Sequence, residues 1–169
     1  MADSAPHIQD RPAVPFVGTT TGVTTTTFAE IADRIPVLIG ALVGHGITPA
    51  GAPFFRYLEI RGDAMTVQVG VPVPAGGQLS DHAVPFEVQS GSLPAGRYAC
   101  LTHVGPFDGL RGATERLLTW ADEQDLRFDA DTVDGVERWA ARLETYLTDP
   151  RIETDPNRFE TELAFRLAG

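Results

Sequence analysis

The stretch YACLTHVGPFDGLRGATERLLTWA, Tyr98 to Ala121, decides the fold. It opens as an extended segment, breaks at Gly105 and Pro106, and continues with Leu110, Ala113, Leu117 and Trp120 at spacings of three and four. Glu115 and Arg116 fall on the wetter side of that pattern. A strand, a glycine break and an amphipathic helix follow, with Asp108 placed to cap the helix and Gln124 or Asp125 near its end. The same order stands roughly eighty residues earlier in FVGTTTGVTTTTFAEIADRIPVLIGAL, Phe16 to Leu42, which makes an internal duplication the simplest account. There Thr27 and Glu30 form a capping-box pattern, and Phe28, Ile31, Ile35, Leu38 and Leu42 make the apolar stripe. Pro36 removes a backbone donor inside that stripe and predicts a kink or a later helix start. Gly44 and Gly46 supply the stop.

Working outward, PFFRYLEI (Pro53 to Ile60) and MTVQVGVPV (Met65 to Val73) read as strands joined by a tight turn at Arg61, Gly62 and Asp63. After the glycine and proline stretch PVPAGGQLSDH, a strand EVQSG leads through Leu93, Pro94 and Ala95 into the deciding segment. Beyond it come a short helical turn around Val136 to Ala140 and two final strands in LETYLTDP and RFETELAFRLA. The expected architecture is an α+β fold: a duplicated strand-helix-strand-strand module, an antiparallel sheet with two main helices, and a central ligand groove. Residues 1–169 read as one domain, with a flexible N-terminal tail at 1–12 and modules at about 13–75 and 84–169.

Hydrophobic residues make up 43% of the 169 positions, enough to bury a sizeable core, and the formal net charge is -10. Every basic side chain is arginine, and the acidic balance opposes the counterion release that drives direct nucleic-acid binding. No stretch has the length and apolarity of a membrane span or a signal peptide, so a cytoplasmic location is expected. The lone Cys100 reads as a buried thiol. His7, His45, His82 and His103 are too scattered for a metal site, and no metal or cofactor is expected. His103, just before Gly105 and Pro106, reads better as a hydrogen-bonding brace of the strand-to-helix turn than as an acid or base. Motifs of the common hydrolases, nucleotide-binding loops and zinc enzymes do not occur.

Alternation along LETYLTDP puts Glu144 and Tyr146 on one face and Leu143, Thr145 and Leu147 on the other. If the helices cover the Leu143 face, Glu144 looks into the groove, where a carboxylate is costly unless paired. Alternatively Glu144 is an exposed strand residue paired with Arg142 or Arg158. Tyr57, Tyr98, Phe107, Trp120 and Trp139 are aromatic candidates for the groove or for the core, Trp120 being better suited to core. Tyr57 is the better groove candidate, on a strand where Phe55, Tyr57 and Glu59 alternate.

The blocks RYACLTHVGPFDGL, LLTW, ETYLTDP and DPNRFETELAFRLA, in this order, resemble the GyrI-like superfamily, and PFFRYLEI resembles the tyrosine-bearing strand of its first module. The resemblance implies a duplicated module with the glutamate of an E-x-Y pair, here Glu144 with Tyr146, in the pocket. It implies a stand-alone protein that binds lipophilic, often cationic or aromatic small molecules, a multidrug or effector-binding type related to transcription regulators. The alternative it carries is a hydrolase of cyclopropane-containing alkylating natural products, with Glu144 as the catalytic carboxylate. Leu143 stands where many members place an aromatic residue, so neither a cation-stacking nor a hydrolase arrangement that relies on an aromatic at that position is expected. Regulators of the family carry a DNA-binding segment ahead of the module, and about a dozen residues precede the first strand here, so a complete regulator is not expected. A protein partner is also compatible with the family.

Overall fold

The computed structural model describes residues 2–169. Ten strands, all paired antiparallel, form one curled sheet: β1 (His7–Arg11), β2 (Val14–Thr24), β3 (Phe54–Arg61), β4 (Ala64–Pro72), β5 (Gln89–Leu93), β6 (Gly96–Val104), β7 (Ala130–Val133), β8 (Val136–Trp139), β9 (Arg142–Tyr146) and β10 (Glu160–Arg166). The helices are α1 (Phe28–Ala32), α2 (Arg34–Gly44) and α3 (Leu110–Glu123), with short 3-10 turns at Phe107–Gly109 and Pro156–Arg158. Both repeats of the expected strand-helix-strand-strand order are present, as β2-α1/α2-β3-β4 and as β6-α3-β9-β10 with the β7 and β8 strands inserted between α3 and β9.

The strand order β1-β6-β10-β9-β3-β4-β2-β5 reads as a mirror about the β9–β3 seam. Each unit is preceded by a lead-in strand that pairs with the other unit: β1 lies on β6, and β5 lies on β2. Residues 1–12, expected as a flexible tail, therefore contribute a sheet strand. Asp3 further fastens the segment, accepting from the Val104 amide at 2.9 Å and meeting His103 Nδ1 at 3.0 Å and the Arg116 guanidinium. Local composition did not reveal this, because the partner strand lies roughly ninety residues away.

Three buried clusters organise the core. Ile31, Leu38 and Leu42 of α1 and α2 pack on Val67, Val69, Val71 and Phe55. Leu110, Ala113 and Leu117 of α3 pack on Ala99, Leu101, Leu163 and Phe165. On the opposite face the sheet curls on itself, so that Phe16, Phe54 and Leu93 meet Tyr98, Cys100, Leu143 and Ala164. Gly70 permits that curl: a Cβ there would lie 2.4 Å from the Phe54 ring.

Several local expectations are corrected. Both helices stand on the Glu144 face, and it is Leu143 that is buried in the opposite cluster. The capping box at Thr27 and Glu30 does not form; the Thr27 hydroxyl accepts instead from the Thr24 amide at 2.8 Å. Asp108 sits within the 3-10 turn, and α3 starts without a side-chain cap. The expected helical turn at Val136 to Ala140 is replaced by the β7–β8 hairpin, turned at Asp134 and Gly135 with φ of 52° and 78°. Positive φ at both central residues is the hairpin geometry that Asp-Gly favours. The Arg61–Asp63 turn forms as expected, with Gly62 at φ 60°.

Candidate functional site

β9 and β3 meet at the seam between the two units, with Glu144 directly opposite Phe55 and, on its other side, opposite Leu163 of β10. Residues paired across strands share a face, so Phe55, Glu144 and Leu163 form one row under the helices. Neighbouring positions of the same strands place Tyr57 and Tyr146 beside it. α1 and α2 cover one side of this row and α3 the other, which leaves Glu144 between them.

The opening is a cavity of about 850 Å³. Phe28, Ile35, Pro36 and Ile39 form its helical wall, Phe55, Tyr57, Met65, Glu144 and Tyr146 its floor, and Phe107 with the loop Leu147–Arg151 its rim. The volume lies within the range that encloses a drug-sized molecule. Aromatic rings are locked against one another: Phe28 meets Phe55 edge-on at 4.6 Å and lies near-parallel to Tyr57 at 6.1 Å, and Tyr146 meets Phe55 at 5.1 Å and Phe107 at 5.6 Å. At the rim, Asp149 and Arg151 pair at 2.7 Å and so neutralise each other locally.

Glu144 is 8% exposed, and its Oε1 accepts a hydrogen bond from the Tyr57 hydroxyl. Burial pushes its carboxyl above the ordinary glutamate value, and the Tyr57 hydrogen bond, the Arg142 charge and the Tyr146 hydroxyl draw it part of the way back. Tyr57 and Tyr146 are raised well above the ordinary phenol value, first by burial and then by the neighbouring carboxylate, so both stay protonated as donors. A carboxylate so placed has its water replaced by two phenols and an apolar enclosure.

Of the sequence candidates, the cavity brings together Glu144, Tyr146, Tyr57 and Phe107. Tyr98, Trp120 and Trp139 lie elsewhere. Tyr98 is buried in the opposite cluster with its hydroxyl donating to the Pro94 carbonyl at 2.6 Å, Trp139 is buried in the cluster under α3, and Trp120 lies on α3 itself, half-buried against that cluster. Trp120 reads as core from its helical stripe alone, whereas alternation identifies which residues share a face but not which face another element covers, so Tyr98 and Trp139 were separable only by tertiary packing. Glu59 also leaves the Tyr57 face, because a bulge between Tyr57 and Glu59 shifts the register by one residue. Arg158 bridges Glu153 and Asp155 and is no partner of Glu144. His103 braces the turn as expected, with Nε2 3.0 Å from the Pro106 carbonyl.

Sequence reading did not single out Phe28, Ile35, Ile39, Met65 and the Leu147–Arg151 rim as cavity residues. A signal existed for the helix: between Arg34 and His45 it carries no charged side chain, which exceeds what one buried stripe needs.

The C-terminal domain of EcmrR shares this fold at a TM-score of 0.74 and 17% identity, over 97% of both chains. EcmrR in a DNA complex aligns at a TM-score of 0.72 and 18% identity over 96% of this chain, which spans only 57% of that protein. SAV2435 bound to tetraphenylphosphonium aligns at 0.62 and 14% identity, covering 98% of this chain and 95% of its own, and a hydrolase from Listeria innocua at 0.63 and 14%, covering 96% and 91%. No curated protein matches the chain by sequence. At these identities the likeness concerns the fold. The model of the GyrI-like small molecule binding domain matches residues 4–168, and the chain belongs to that family.

Proposed function

We propose that this protein binds lipophilic, frequently cationic or aromatic small molecules in the seam cavity, with Glu144 balancing the charge of the ligand and Phe28, Phe55, Tyr57, Tyr146 and Phe107 contacting its rings. The observation that carries this reading is the placement of one buried carboxylate, held by a tyrosine hydroxyl, on the floor of an otherwise aromatic and aliphatic cavity. The tetraphenylphosphonium in the name of the SAV2435 structure is a ligand of that chemistry and adds support.

The test compares tetraphenylphosphonium with the neutral triphenylphosphine oxide at pH 7 by titration calorimetry. Glu144→Gln is expected to weaken the cation by at least about tenfold, roughly 1.4 kcal/mol, and to leave the neutral compound within about twofold. Equal losses for both would refute charge pairing.

A second reading, hydrolysis of a strained electrophile with Glu144 orienting water, draws on the same raised carboxyl. Product analysis with a cyclopropane-containing alkylating agent separates the two: a hydrated product that Glu144→Gln abolishes favours the enzyme, and unchanged reagent favours the binder.

A further inference from the structure

Arg142 precedes Glu144 by two residues on β9 and therefore projects from the same face, yet it does not line the cavity. Its register partner on β10 is Phe165, and its guanidinium carbon lies 4.8 Å from the Phe165 ring centre, 5.0 Å from Trp139 and 5.7 Å from Tyr57. Three rings thus surround the cation, a geometry that is strongest when water is excluded. Among the described residues no carboxylate lies within salt-bridge distance of it, and its buried Nε has no hydrogen-bond partner. Arg142 is half-buried, and its Nε gives up water among these rings without a direct ion pair in return, which is costly. Structural packing alone is better served by an apolar residue in such a ring cage, so the charge itself has a use.

Tyr57 shows what that use is. One side chain connects the two charges: the Tyr57 ring carries the guanidinium at its face, and the Tyr57 hydroxyl donates to Glu144. We infer that Arg142 is a positioning and specificity-setting residue of the cavity, which from behind the floor holds Tyr57 on Glu144 and supplies the fixed positive charge that keeps the carboxylate available to a cationic ligand. The charged and titratable groups around this pair are Tyr57 from β3, Tyr146 from β9, and Glu137 from β8, whose charge acts on Arg142. The rim pair Asp149 and Arg151 is closed on itself. Burial lowers the Arg142 guanidinium from its ordinary value, which still leaves it charged at any pH at which Glu144 titrates. The inference rests on the cation-binding reading for its ligand and on the Arg142–Tyr57–Glu144 geometry for its mechanism.

The two are tested separately. In the ligand-free protein, infrared difference spectra follow the carbonyl band of protonated Glu144, identified by its loss in Glu144→Gln. Arg142→Met, whose thioether suits the same ring cage, and Arg142→Gln both remove the charge. Each is expected to move the Glu144 midpoint up by about one pH unit, and Arg142→Lys to hold it within about 0.3 unit of the unsubstituted protein. An unchanged midpoint in whichever charge-removing variant folds, or a Lys variant that shifts as far as Met, overturns the inference. In parallel, the pH at which tetraphenylphosphonium loses half its affinity should move upward by the same amount, while triphenylphosphine oxide shows no such shift. If the unsubstituted protein does not distinguish these compounds at any pH, the cation-binding reading falls, and the infrared midpoints still decide the role of Arg142.

Discussion

Glu144 is held in a state that opposes folding. Its carboxyl is raised in the folded chain, so its contribution to stability is complete below the ordinary glutamate range and is lost as pH rises through the raised folded value. At pH 7 the ionised group therefore carries a cost that a neutral side chain of the same shape avoids. Glu144→Gln is expected to melt a few degrees above the unsubstituted protein at pH 7, with the difference shrinking towards pH 4; calorimetric melts at both pH values check this. A reversed pH trend would mean that the hydrogen bond from Tyr57 outweighs burial. Glu144 and Tyr146 were legible in the sequence because period-two alternation puts them on one face of a strand, and Tyr57 because it alternates with Phe55 on its own strand; the meeting of the two strands was not legible. Nor was the fate of Tyr98, Trp139 and Glu59, since it depends on the curl that buries the Leu143 face and on a bulge set by strand partners far along the chain.

At the scale of elements, Pro36 accounts for the division of the first helix. Its missing N–H would have bonded to the Ala32 carbonyl, and α1 ends at that residue while Pro36 occupies the first turn of α2, where a donor is dispensable. The break turns Phe28 onto Phe55 and Tyr57, at the cavity wall. Pro36→Ala is expected to join Phe28–Gly44 into one helix, visible as helical chemical shifts through residues 32–36. Stability should stay within about 1 kcal/mol, and neutral-probe affinity should fall as Phe28 leaves its place. Unaltered shifts across that junction would assign the break to tertiary packing. The proline was readable beforehand. The β7–β8 hairpin was also signalled by Asp134–Gly135, but a helical pattern of apolar residues in Val136–Ala140 competes with it, and only pairing with β3 decides between the two.

At the scale of the molecule, duplication was legible as repeated order, whereas the exchange of lead-in strands was not, because a strand edge carries no record of its distant partner. β5 is joined to the first unit in space and to the second in sequence, and Leu79 and Phe86 of the connecting loop also pack on the first core. The β1 strand does the converse. Gly76 is exposed and Gly77 half-buried in the loop that joins β4 to β5. A chain cut there yields fragments 1–76 and 77–169, each missing an edge strand that the other carries. Size-exclusion chromatography with circular dichroism should show the fragments unfolded or self-associated when separate and a one-to-one folded pair when mixed, with tetraphenylphosphonium raising the yield of the pair. Two independently folded halves would contradict the exchange. Peptide-bond continuity is then secondary to mutual bracing, and such a scaffold can act as a split reporter whose reassembly signals the molecule that occupies its seam.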